Sequence, residues 1–284
     1  MSSRWCDNRY LTAPGRLAIT AFMAGCLILL AALGGCRSGT SGAQHCLVIA
    51  GSTSVQPFAE KLAEIYMQQH PEVRIDVQGG GSSAGIYAVS QWACDLGASS
   101  LELVPAEKHL IEIPLAYDGI AVIVHPSNPL TKLRLDDLQA VFLGKITDWQ
   151  SFGLPPHPID VVTREEGSGT REAFESMVMA KHEITPSALV QDSNGSVREI
   201  VAGDPHSLGY ISAGLVDHRV KALAIDGIAP TRENIKNRTY KLVRRFLLVA
   251  RAAPSGPDKD FVDFVLSAQG QSILETEGLV GVVE

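Results

Sequence analysis

LVIAGSTSVQPFAEKLAEIYMQQHPEVRIDVQGGGSSAGIYAVSQWACDLGA, residues 47–98, decides the fold. It opens with a short apolar run at 47–50 that predicts a strand. Residues 54–69 predict a helix, with Pro57 in its first turn and Phe58, Leu62, Ile65 and Tyr66 on one face. Residues 73–77 alternate apolar and polar and predict a second strand. The glycines at 79–81 lead into a helix over 83–92, and 95–98 predict a third strand. Strands and helices alternating in this way imply an α/β fold with a parallel sheet and right-handed crossovers.

The pattern continues outward. Residues 113–125 form a long apolar strand, broken at Asp118-Gly119, that could cross between two domains. Short helices are predicted over 135–142 and 196–202, with a turn region at 144–149. Strands are predicted at 159–163, 209–212 and 245–250. Residues 170–180 predict a helix with Phe174, Met177 and Val178 on one side, and 259–277 predict a single closing amphipathic helix.

Of the 284 residues, 45% are hydrophobic and 19% charged, an ordinary globular composition for one or two domains. The net charge of −7 and 6% aromatic content argue against nucleic acid as a partner. An anionic ligand would have to be held by local dipoles and a few placed cations.

The first segment reads as a targeting signal. Arg4, Arg9 and Arg16 precede an apolar run over 17–33 that ends in Leu33-Gly34-Gly35-Cys36. A basic start, an apolar centre and small residues before a cleavage point describe a secretory signal over 1–35. Small residues just before a cysteine add the lipobox of bacterial lipoproteins, which makes Cys36 the lipidated first residue and 36–45 a tether. Export allows a disulfide, and Cys46 and Cys94 precede two strands expected to be neighbours. They are the candidate pair.

Three loops share one design: Gly51-Ser52-Thr53-Ser54, Gly79-Gly80-Gly81-Ser82-Ser83 and Gly167-Ser168-Gly169-Thr170. Each follows a predicted strand and opens a predicted helix. One such loop is ordinary turn and cap chemistry. Three at strand ends point to a site, because helix N-termini present free N–H groups and partial positive charge to an anion. Arg164 lies between strand and third loop, where its fork can take two anion oxygens, and Glu165 or Glu166 could hold it in place. Arg171 could play the same part. None of the loops is a Walker loop or a nucleophile elbow, and no histidine or metal-ligand motif stands out. No catalytic residue, metal or cofactor is expected.

GSTSVQPF, GGGSSAG, DLGASS, GKITDW, VVTREEGSGTREAF and SLGYIS follow one another in the order and spacing of a known family. Through nearly all of 47–284 the chain resembles the periplasmic phosphate-binding proteins of phosphate ABC transporters. The resemblance implies a two-lobed type II periplasmic-binding fold with mixed sheets and two crossover strands. One lobe is expected at 46–116 and 222–284, the other at 117–221. It also implies a phosphate site of Thr53, Ser54, Ser82, Ser83, Ser100, Arg164, Ser168, Gly169 and Thr170. Many members carry phenylalanine in place of Ser54, and well-known members carry an aspartate in place of Ser100 that accepts the proton of hydrogen phosphate. The implied role is a monomeric, non-enzymatic lipoprotein that is anchored through Cys36 on the outer face of the membrane or in the periplasm. It would bind inorganic phosphate and pass it to ABC transporter permease subunits. Sulfate or molybdate binding, or a sensor role without transport, are the alternatives.

Overall fold

Strand β1 (His45–Gly51) carries apolar side chains on both faces. Leu47 and Ile49 enter one core cluster, while Val48 and Ala50 pack against another on the opposite side. A strand buried on both faces belongs inside a sheet covered by helices. β1 indeed lies between β2 (Val73–Gly79) and β3 (Leu96–Ser99), parallel to both. The computed structural model describes residues 45–180 and 182–282. The expected leader, Cys36 and the tether as far as residue 44 lie outside the described residues.

Helices α1 (Gln56–Gln69) and α2 (Ser82–Ser90) make the two crossovers. α1 turns Phe58, Leu62 and Tyr66 onto Leu47 and Ile49. Full burial of such a side chain contributes about 1.5–3 kcal/mol. α1 starts two residues later than the sequence predicts. The N–H groups of Val55 and Gln56 both donate to the Ser52 carbonyl, so Thr53 and Ser54 stay in a turn.

Beyond β3 the sheet runs antiparallel through its next three pairings and parallel again in its last two. β4 (Ile111–Val124), β6 (Asp160–Arg164), β7 (Leu189–Gln191), β8 (Ser207–Ser212) and β11 (Val243–Ala250) complete the order β2-β1-β3-β11-β4-β8-β6-β7. Short strands β9 (Lys221–Ala222) and β12 (Val280–Gly281) add to β4, while β5 (Lys132–Leu133) pairs with β10 (Ala224–Ile225). The expected break at Asp118-Gly119 is absent; the strand changes partner there instead. Residues up to Gly119 pair with β11, and Ile120–Val124 pair with β8. A bulge interrupts the β4–β11 register beside Pro114, which has no N–H to give to a ladder.

The core follows this change of partner. One cluster draws on Leu47 through Ala116 and on Phe246 through Leu279. Another gathers Ile120, Phe142, Trp149, Phe174 and Tyr210, with Leu223, Ile225, Ile235, Tyr240 and Leu242. The last five precede β11, and Val280 of the same cluster follows it.

Helices α3 (Leu135–Phe142) and α5 (Asn194–Gly203) lie close to where the sequence places them, and α6 (Arg232–Lys236) is an addition. α4 (Gly169–Phe174) passes into a π-helical turn, Glu175–Met179, that stops at Ala180 with φ 48°. The expected single closing helix is two, α7 (Gly256–Leu266) and α8 (Ala268–Thr276). Between them Ser267 is extended, and its Oγ accepts the Gly270 N–H at 3.2 Å. A serine at the head of a new helix satisfies one of its free donors, which favours the break over one continuous rod. No helix among the described residues is long and apolar enough to cross a membrane.

Cys46 and Cys94 do not pair; Cys46 is an exposed free thiol and Cys94 a buried one. Leu96 pairs with Ile49, and the Asp95 N–H donates to the Val48 carbonyl at 3.0 Å, so the two cysteines lie nearly level on neighbouring strands. The thiols still differ in surroundings: Cys94 joins a buried cluster with Val89 and Leu110, while Cys46 faces solvent.

Candidate functional site

β1, β2 and β3 end on the same side, and the loops that leave them are stitched together by backbone. The Ser52 N–H donates to the Ala98 carbonyl at 2.8 Å, and the N–H groups of Gly80 and Gly81 donate to the Gly51 carbonyl at 2.8 and 3.0 Å. Gly51 has φ 141°, and a Cβ there would fall 2.2 Å from the Ala98 oxygen. Only glycine fits so close an approach.

This stitching gathers hydroxyls into a buried cage. Ser100 Oγ accepts from Ser52 Oγ at 3.1 Å and Ser54 Oγ at 3.2 Å, and lies 3.2 Å from Ser82 Oγ. Ser82 Oγ in turn accepts the Ser100 N–H at 3.1 Å. Ser54 Oγ lies 3.3 Å from Thr170 Oγ1, which arrives with α4 from the other half of the molecule. Ser52, Ser54, Ser82, Ser100 and Thr170 are all buried. Gly169 lets α4 come this close, since a Cβ there would lie 2.3 Å from both Ser82 Oγ and Ser100 Oγ.

Arg164, the last residue of β6, is only 1% exposed. Its Nε and Nη2 grip the two oxygens of Glu165 at 2.8 Å each. Nε also donates to the Gln191 carbonyl, and Nη2 to the Asp192 carbonyl, both at 3.2 Å. Nη2 reaches across to Thr53 Oγ1 at 3.1 Å. Nη1 is buried with no partner. The chain thus fixes the guanidinium from three sides and keeps one strong donor uncommitted.

Asn194 is the site residue that sequence reasoning missed. It opens α5, and its Oδ1 accepts the Ser212 N–H at 3.1 Å. Its Nδ2 reaches Thr53 Oγ1 at 3.4 Å and Thr170 Oγ1 at 3.5 Å. Ser52 also belongs to the cage, though only its neighbours Thr53 and Ser54 were expected there. The signal for both was slight, because asparagine at a helix start and serine in a turn are ordinary choices.

The remaining expected residues take other positions. Ser168 Oγ caps α4 by accepting the Arg171 N–H at 3.3 Å. Ser83 is exposed, and its N–H donates to the Gly167 carbonyl at 3.2 Å, closing the two halves over the cage. Arg171 is engaged elsewhere, with Glu175 at 2.8 Å and the Arg164 carbonyl at 3.0 Å.

Among the described residues no carboxylate joins the hydroxyl network. Glu165 turns both oxygens to Arg164. Asp118 is fully buried but gives one oxygen to Arg244 Nε and Nη2, at 3.0 and 2.9 Å, and the other to Ser212 Oγ at 2.7 Å. Burial pushes the Asp118 carboxyl up and the Arg244 guanidinium down, while each draws the other back toward its charged form. Neutral donors and one anchored cation suit a small polyoxygenated anion. Charge-assisted hydrogen bonds of this kind contribute about 1.5–3 kcal/mol each.

Two parallel runs of strands joined by the antiparallel pair β11 and β4, with a buried hydroxyl cage at the strand ends, define an α/β binding protein. The chain belongs to the PBP superfamily, whose domain matches residues 35–269, and within it to the phosphate-binding proteins named PstS. The phosphate-binding protein PstS of Bacillus subtilis is 30% identical over 285 aligned positions, covering 95% of each chain. A protein from Clostridium perfringens described as a phosphate ABC transporter substrate-binding protein, solved with bound phosphate, is 40% identical. It superposes with a TM-score of 0.81 over 84% of this chain and 100% of its own. An ABC-type phosphate transport receptor from Vibrio cholerae is 37% identical with a TM-score of 0.69, covering 82% of this chain and 99% of its own.

Proposed function

We propose that this chain is an extracytoplasmic receptor that binds inorganic phosphate in the hydroxyl cage and delivers it to the permease of an ABC transporter. The observation that carries this reading is Arg164. It is held by Glu165, with an unpartnered Nη1, beside hydroxyls drawn from both halves of the molecule. The names of the relatives from B. subtilis, C. perfringens and V. cholerae supply the ligand. Two lobes meet at the cage, one built on β1–β3 and one on β6 and β8. A ligand that touches both favours the closed arrangement by population shift. Thr53, Ser54, Ser82, Ser100, Arg164, Gly169 and Thr170 carry the binding, with Asn194 and Ser52 added.

The reading is of a binder rather than a catalyst, and its support is that the relatives are named as binding proteins. The lipobox at Cys36 supports anchoring of the exported protein by lipid.

One observation favours a wider anion range. Ser100 places a hydroxyl where a carboxylate would repel a fully ionised oxyanion, and that hydroxyl can donate or accept. Calorimetry with phosphate, sulfate and molybdate tests both readings. Phosphate heat that disappears in Arg164→Ala supports the receptor. Heat with sulfate or molybdate alone overturns phosphate as the ligand.

A further inference from the structure

We propose that Trp92, braced by Arg251 at the end of the protein where the chain enters, docks its indole into the interfacial layer of a lipid bilayer. The proposal rests on the reading that Cys36 carries a lipid.

Trp92 sits in the turn between α2 and β3, at the opposite end of the sheet from the cage. Its indole is 82% exposed, although its backbone has the unusual φ of 63°. A single exposed aromatic is common on soluble proteins and by itself means little. This one is held outward. The guanidinium of Arg251 lies over the ring, and its Nη1 donates to the Ser90 carbonyl at 3.2 Å, at the end of α2.

The second observation is where the chain enters. Trp92, Arg251 and Asp258 line one hollow of about 240 Å³. Asp258 is bonded at 2.9 Å to His45, the first residue of β1. Cys36 precedes His45 by nine residues, so a lipid on it keeps this end within about 30 Å of the bilayer. An indole has an apolar body and a polar N–H, and it settles at the level of lipid headgroups. Arg251 is offset by Asp95 and Asp258 in the same hollow. That mixed charge suits zwitterionic headgroups and requires no anionic lipid.

The full chain, exported with its own leader, can be reconstituted into phosphatidylethanolamine–phosphatidylcholine vesicles with or without brominated acyl chains. Trp149 is buried and serves as the internal reference. The expected result is that the protein floats with the vesicles, bromolipid quenches its emission, and Trp92→Ala loses that quenching. Wild-type emission should also become shielded from aqueous iodide on the vesicles, a readout that needs no variant. Protein that floats but ignores bromine and stays open to iodide leaves the lipid anchor standing and overturns the docking surface. Protein that does not float overturns the anchor and the docking surface with it.

Discussion

Arg164 Nη2 and Thr53 Oγ1 meet at 3.1 Å, joining the end of β6 to the loop after β1. The same guanidinium is gripped by both oxygens of Glu165. A lysine cannot reproduce this fork. Arg164→Lys should weaken phosphate binding at least about 30-fold, the lower end for truncating a buried charged contact. Glu165→Gln should cost about tenfold, near the worth of one charge-assisted hydrogen bond. Isothermal titration of both variants measures the difference.

Gly169 is a steric test of the cage. In Gly169→Ala the new Cβ meets the Ser82 and Ser100 hydroxyls at 2.3 Å, so α4 or the hydroxyls must shift. Phosphate binding should fall about tenfold or more, since small misplacements of a polar site are costly. Gly203→Ala is the control, because a Cβ there meets nothing within 4 Å. It should bind as wild type and gain up to about 1 kcal/mol from helix propensity.

Ser100→Asp should change selectivity. A carboxylate accepts the proton of hydrogen phosphate and repels sulfate. Competition titration should show any sulfate binding lost while phosphate binding persists. Unchanged sulfate affinity would place Ser100 outside the discriminating contact.

Glu112 governs part of the acid response. The hydrogen bond from Lys108 Nζ at 2.6 Å holds its carboxyl below the usual range, helped by the Leu103 N–H and by Arg245. A lowered folded pKa stabilises the protein above the ordinary glutamate value of about 4.3. That contribution is lost as pH falls through the folded value. Glu112→Gln should therefore cost about 1 kcal/mol at neutral pH and almost nothing at strongly acid pH. Urea unfolding at the two pH values reads this directly.

The three glycine-hydroxyl loops were legible because glycine and hydroxyl residues recur where predicted strands end, and the structure gathers their hydroxyls together. Arg164 was legible from its place between strand and loop. Asn194 was not, because it reaches Thr53 from 141 residues along the chain and Thr170 from 24. The division of the closing helix at Ser267 was hidden for a different reason. Apolar residues keep a helical spacing through 259–277, and only the cap bond to Gly270 reveals the break. The Cys46–Cys94 expectation rested on cysteines that do lie nearly level on neighbouring strands, but one thiol is exposed and the other buried, which strand placement alone does not foretell.

Asp118 and Arg244 face each other on β4 and β11, one residue before β4 leaves one partner strand for the next. Both side chains are almost fully withdrawn from solvent. Counter-ions screen exposed charges beyond about 8–10 Å at moderate ionic strength, but they screen a dry pair much less. Sodium chloride should therefore loosen the surface ion pairs of this protein while leaving its strand crossing intact. An extracytoplasmic protein in surroundings whose salinity the cell does not set would keep the same strand pairing in dilute and in brackish water.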